Sequence, residues 1–136
     1  MNRIEYLEMY TNLFKFKTIY DEKMNSYIVY ANSPTKRVKN IEDHTQFEAL
    51  ENHVHLIDRV KKHEYPHCVR SGSILGKALL DALHAAYPER HFVVFVTVRM
   101  YDSLIIRFHQ KWDGELPYYD PDDVRSEKDF IIKFEN

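Results

Sequence analysis

The stretch from His91 to Trp112 constrains this chain more than any other. Phe92-Val-Val-Phe-Val-Thr-Val98 is too continuously apolar and too rich in β-branched residues for a strand with one wet face. After Met100-Tyr-Asp-Ser103 the run Leu104-Ile-Ile-Arg-Phe-His-Gln-Lys111 alternates. Leu104, Ile106 and Phe108 share one face, and Ile105, Arg107, His109 and Lys111 the other. Two such runs around a short turn predict an antiparallel hairpin at the centre of the fold. A one-residue offset at that turn would place Phe95, Thr97 and Arg99 beside Ile105, Arg107, His109 and Lys111.

The remaining elements are read against that hairpin. Asn2 is a plausible N-cap, and Ile4, Leu7, Tyr10 and Leu13 or Phe14 recur at helical spacing, so a helix is expected over roughly residues 3–13. Residues 14–20 alternate and residues 26–31 are β-rich, which suggests a second hairpin. Asp43 or Thr45 can cap a second helix to about Lys62, with Phe47, Leu50, Val54, Ile57 and Val60 as its stripe and Pro66 as its stop. On such a helix His53 and His55, two apart, point to different sides and make no pair. Ser71 or Ser73 is expected to cap a third helix through Ala86, stopped by Tyr87-Pro88. Asp113-Gly114 signals a turn, Pro121 could open a short helical turn, and residues 129–134 read as a last strand. The expected architecture is a single α+β domain over residues 1–136: an antiparallel sheet of four to five strands with about three helices packed mainly on one face.

Composition narrows the function classes. The net charge of −2 and pI of about 6.4 argue against duplex DNA or an anionic membrane as the main partner. Three glycines are too few for a Rossmann or P-loop phosphate cradle, and Ala78 follows Gly76-Lys77 where a Walker motif needs a hydroxyl. One cysteine, Cys68, allows no intramolecular disulfide, and no secretory or spanning apolar run is seen, so a cytoplasmic location is expected.

Four constellations could carry chemistry. His63-Glu64-Tyr65-Pro66-His67 resembles the His-Glu-x-x-His signature of zinc metallopeptidases, in which two histidines on one helical face hold zinc and the glutamate is general base. The resemblance spans five residues. It implies a third ligand, for which His84 or Glu89 could be proposed, and Pro66 disturbs the helix that the motif needs. His63, His67 and Cys68 could otherwise hold a non-catalytic zinc ion. A cysteine-phosphatase loop is excluded, because Ile74 stands where its arginine belongs. Secondly, Arg70, Ser71, Ser73 and Lys77 would meet at the start of the third helix, a favourable place for an anion. Thirdly, Arg99, Arg107, His109 and Lys111 on the hairpin face could stack single-stranded bases or meet an acidic partner. Fourthly, residues 113–129 hold seven acids against two bases, and Trp112, Glu115, Tyr118, Tyr119, Asp120, Asp122 and Asp123 form a candidate partner-binding surface. These carboxylates lack the Asp-x-Asp-x-Asp-Gly plan of a calcium loop.

No catalytic set is assembled by spacing, and no cofactor is implied. The reading is a non-catalytic cytosolic protein-interaction module, of inhibitor or immunity type, with a protein as partner and no membrane. Two alternatives stand beside it: a zinc hydrolase built on His63, Glu64 and His67, and a single-stranded nucleic-acid or nucleotide binder.

Overall fold

The central hairpin forms as the pattern predicts. In the computed structural model, which describes residues 1–120, 122 and 129–136, β4 (Phe92–Arg99) and β5 (Ser103–Gln110) pair antiparallel from Phe92 opposite Gln110 to Val98 opposite Leu104. Residues 92–98 are buried throughout, as their unbroken apolar character requires. The last strand, β6 (Asp129–Glu135), pairs with the other edge of β4, with Ile132 opposite Val96. The order is completed by β3 (His53–Asp58), which pairs with β5, so the main sheet reads β3-β5-β4-β6 and is antiparallel throughout. The second hairpin, β1 (Phe16–Tyr20) with β2 (Ser26–Tyr30), forms a separate two-stranded sheet. The helices are α1 (Arg3–Asn12), α2 (His44–Glu51) and α3 (Tyr65–Ala86), which makes the protein α+β. The turn expected from Pro121 lies outside the described residues.

Two boundaries differ from the sequence expectation. The expected second helix stops at Glu51, and its second half is strand β3. His53-Val-His-Leu56 alternates polar and apolar, and pairing with β5, with a register shift between His55 and Ile57, decides in favour of the period of two. The residues Val54, Ile57 and Val60 fit a helical stripe only by coincidence of spacing. Pro66 does not end a helix; it stands in the first turn of α3, where its missing N–H costs nothing. Ser71 and Ser73 are therefore mid-helix residues. The α1 helix begins where expected, with a capping box in which Asn2 Oδ1 accepts from Glu5 N and Glu5 Oε2 accepts from Asn2 N, both at 2.9 Å.

The two faces of the main sheet are closed differently. The face carrying Val94, Val96, Leu104, Ile106 and Phe108 packs under α3 around Leu79, Leu80 and Leu83. Gly72 and Gly76 let the helix backbone approach: a Cβ at Gly76 would stand 2.6 Å from Val96 Cγ2 and 2.9 Å from Phe134 Cε2. The opposite face carries Phe95, Arg107 and His109, and it is closed by α2 and the segment that follows β5.

The two sheets are joined by side chains of α2 and its cap. Ile28 N donates to Glu48 Oε2 at 2.9 Å and Gln110 N donates to Glu48 Oε1 at 2.8 Å. One turn later, Asn52 Nδ2 donates to Ile28 O, Asn52 Oδ1 accepts from Tyr30 N, and Asn52 O accepts from Phe108 N. Glu48 and Asn52 thus occupy the place of a missing strand between β2 and β5, and satisfy backbone groups that would otherwise be buried without partners.

Candidate functional site

The most built surface outside the core is made by residues 111–120 folded back against α2. The segment leaves β5 at Gln110, and Gly114, at φ +74°, allows the reversal, with Glu115 N donating to Trp112 O. Three anchors then hold the segment. Trp112 Nε1 donates to Glu48 Oε1 at 2.6 Å. Glu115 accepts from Thr45 N at 2.7 Å through Oε1, and its Oε2 lies 2.6 Å from His44 Nδ1. Tyr118 N donates to His109 Nε2 at 3.2 Å. The His44 ring stacks on Trp112 with centroids 4.5 Å apart and planes 18° from parallel.

Electrostatics explain why these anchors work. Glu115 sits at the amino end of α2, where Thr45 N and the Asp43-capped Gln46 N are free for carboxylates. Burial alone would raise the pKa of Glu115, but the bonds from His44 and Thr45 outweigh it and hold the carboxyl below its ordinary range. Burial pushes the Glu48 carboxyl up, against four N–H donors from Gln110, Trp112 and Ile28 that favour the ionised form. Burial lowers the pKa of His109, which is 1% exposed. Its Nδ1–H donates to Gln110 O, which leaves Nε2 as the acceptor for Tyr118.

The sheet-face residues are divided by this cover. Arg107 is buried, with Nη1 donating to Ala49 O at 2.6 Å and its guanidinium 4.6 Å from the Tyr118 ring and 5.6 Å from the Tyr119 ring. Tyr119 meets Phe95 edge-on at 5.3 Å. Phe95, Thr97, Arg107 and His109 do share a face, but it is buried, so no base can stack there. Arg99 and Lys111 are exposed, and Lys111 Nζ lies 3.3 Å from Glu135 Oε2.

The partner-surface residues also separate into two roles. Trp112, Tyr118 and Tyr119 are half-buried and hold the segment down. What projects is Leu116, 86% exposed, and Asp113, Asp120 and Asp122 are exposed as well. Asp123 lies outside the described residues. Between the segment and α2 runs an open groove of about 630 Å³ lined by Glu42, Asp43, Gln46, Glu115, Leu116 and Pro117, among others. Sequence reasoning passed over Glu42 and Leu116; the latter's signal was a lone large apolar residue inside a turn-rich acidic stretch.

The other two constellations are not assembled. The helix start that would gather Arg70, Ser71, Ser73 and Lys77 is six residues upstream, at Tyr65. Ser73 Oγ donates to Val69 O, Lys77 pairs with Asp81 at 3.0 Å, and Arg70 Nη2 lies 3.1 Å from His67 Nδ1. In the zinc-like motif His63 precedes α3, Glu64 Oε1 accepts from Lys61 N, and His67 is in the first turn, so the helical face that the chemistry needs does not exist. Cys68 is buried, and burial together with the Glu64 charge raises its thiol pKa. Among the described residues no group of three or more His, Cys, Asp or Glu could hold a metal ion, and no helix is long and apolar enough to cross a membrane.

The chain matches no family model, no curated protein and no solved structure.

Proposed function

We propose that this protein is a cytosolic protein-interaction module of inhibitor or immunity type, and that its partner presents a cationic surface. The observation that carries the reading is the groove that Glu42, Asp43 and Glu115 line together with the projecting Leu116, on a stretch of chain that also exposes Asp113, Asp120 and Asp122. No lysine or arginine among the described residues forms an ion pair with these acids. A field of one sign steers an oppositely charged partner, and an exposed apolar side chain within the same groove supplies contact area. The clamps at Trp112, Glu115 and Tyr118 fix the segment in advance, which lowers the entropic cost of docking.

The test is capture from the native cell on the immobilised full chain, followed by association kinetics with the captured partner. Leu116→Asp should slow or abolish binding. Asp113→Lys with Asp120→Lys should lower the association rate tenfold or more at low salt, with less effect at high salt. His63→Ala with His67→Ala should change nothing. Binding that ignores both the Leu116 and the aspartate variants would sink the proposal.

A further inference from the structure

The strand β3 brings together two histidines that a helix would have separated. His53 and His55 are exposed and two residues apart on a strand, so both side chains project from the same face. Their ring centroids lie 5.6 Å apart. Two imidazoles bound through Nε2 to one tetrahedral zinc ion, at the usual Zn–N length, place their centroids about 5.3 Å apart. The ring separation is thus within a few tenths of an ångström of that of a chelating pair.

The ring nitrogens are also prepared for the task. His53 Nδ1 lies 2.7 Å from Leu50 O, and a carbonyl can only accept, so the proton is on Nδ1 and the Nε2 lone pair is free. His55 Nδ1 lies 3.4 Å from Asp58 Oδ1, which favours the same tautomer. A backbone carbonyl or a carboxylate on the far nitrogen is what orients a metal-binding histidine and raises its basicity. The only charge opposite His53 in the register is Arg107, and its guanidinium is turned inward to Ala49 O and the Tyr118 ring.

We propose that His53 and His55 form a bidentate site, through both Nε2 atoms, for a divalent transition-metal ion of the zinc, nickel or copper type. Imidazole nitrogen suits these ions, whereas calcium and magnesium require oxygen donors. No third protein ligand joins the pair among the described residues. The remaining coordination positions are open to water or to a donor brought by another molecule. The site is independent of the acidic surface and of the five-residue zinc-like motif. Ligands must be unprotonated, so binding weakens on acidification.

Calorimetric titration of the full chain with zinc chloride in a non-chelating buffer reads the stoichiometry. Long-range proton–nitrogen NMR of the imidazoles reads the ligands. One zinc ion per chain is expected, with micromolar affinity and with the Nε2 signals of His53 and His55 moving together. His53→Gln and His55→Gln should each weaken binding by roughly a hundredfold or more, and Asp58→Asn should weaken it less, by about tenfold, the lower end of the range usual for groups behind a ligand. His63→Gln with His67→Gln should leave it unchanged. All these positions are exposed, so thermal unfolding of each variant verifies that the fold is kept. Zinc binding that survives either single substitution unchanged, or Nε2 signals that do not move, would overturn the assignment.

Discussion

His109 and Glu115 hold the same segment but lose their grip at different pH, because one is a base and the other an acid. Burial lowers the pKa of His109, so the unfolded chain takes up a proton near the ordinary value of 6.5 while the folded one resists it. The stability that follows is present above that value and is lost as pH falls through the lower folded value. Protonation would also remove the Nε2 lone pair that accepts from Tyr118 N. Thermal unfolding of the wild type should therefore lose stability as pH is lowered below about 6.5, and His109→Gln should show a flatter profile there; parallel profiles would remove His109 from this role. Glu115 is lowered as well, by His44 and Thr45 against its burial, so its contribution is present above the ordinary 4.5 and disappears as pH falls below it. Glu115→Gln should cost about 1 kcal/mol at neutral pH, and the difference from wild type should close in acid. Trp112, the single tryptophan, stacks against His44 and reports the loosening by fluorescence.

Among the elements, the contact of α3 with the sheet is the one in which a single methyl group decides the packing. A Cβ at Gly76 meets Val96 and Phe134 side chains at 2.6 and 2.9 Å, whereas one at Gly72 meets Val96 and Leu104 at 2.9 and 3.0 Å. Alanine gains roughly 1 kcal/mol of helix propensity over glycine, and overpacking costs about 1–3 kcal/mol. Gly76→Ala should therefore be the more destabilising of the two, with a net loss of about 1–2 kcal/mol in denaturant unfolding, while Gly72→Ala should fall nearer to neutral. These glycines mark close approach, a reason for glycine that periodicity cannot display. The central hairpin was legible because alternation in residues 104–109 and the apolar run before it admit one pairing only. The strand β3 was not, because Phe47, Leu50, Val54, Ile57 and Val60 satisfy a helical stripe; the choice of strand is made by β5, which is fifty residues away. Pro66 was legible as a helix boundary but not as to which side of it the helix lies. The acidic segment was legible as a surface and its turn at Asp113-Gly114 as a turn, but its burial of Arg107 and His109 depends on docking against Glu48, Thr45 and His109, which no local pattern measures.

At the scale of the molecule, Glu48 and Asn52 carry most of the polar join between the two sheets, beside the bonds of Gln110 and Arg90 to Ser26 O and the packing of Phe16 and Tyr30 on Phe108. Glu48 is fully buried with donors from Ile28, Gln110 and Trp112, and Asn52 is fully buried with partners on Ile28, Tyr30 and Phe108. Removing the Asn52 side chain leaves the Tyr30 N–H and one acceptor site on Ile28 without protein partners, at a cost of about 2 kcal/mol. That cost falls on the join and not on the main sheet, whose strands β3, β5, β4 and β6 remain paired to one another. Asn52→Ala should thus lower the free energy of opening the β1–β2 hairpin selectively. Hydrogen exchange should show the amides of Ile28 and Tyr30 accelerated by roughly thirtyfold, with those of Val94 and Val96 in the central strand much less affected. Glu48→Ala should do the same and also release Trp112, because the same carboxylate holds the indole N–H. Equal acceleration across β2 and β4 would mean instead that the two sheets open as one unit, and that the polar join is as strong as the strand pairing it replaces.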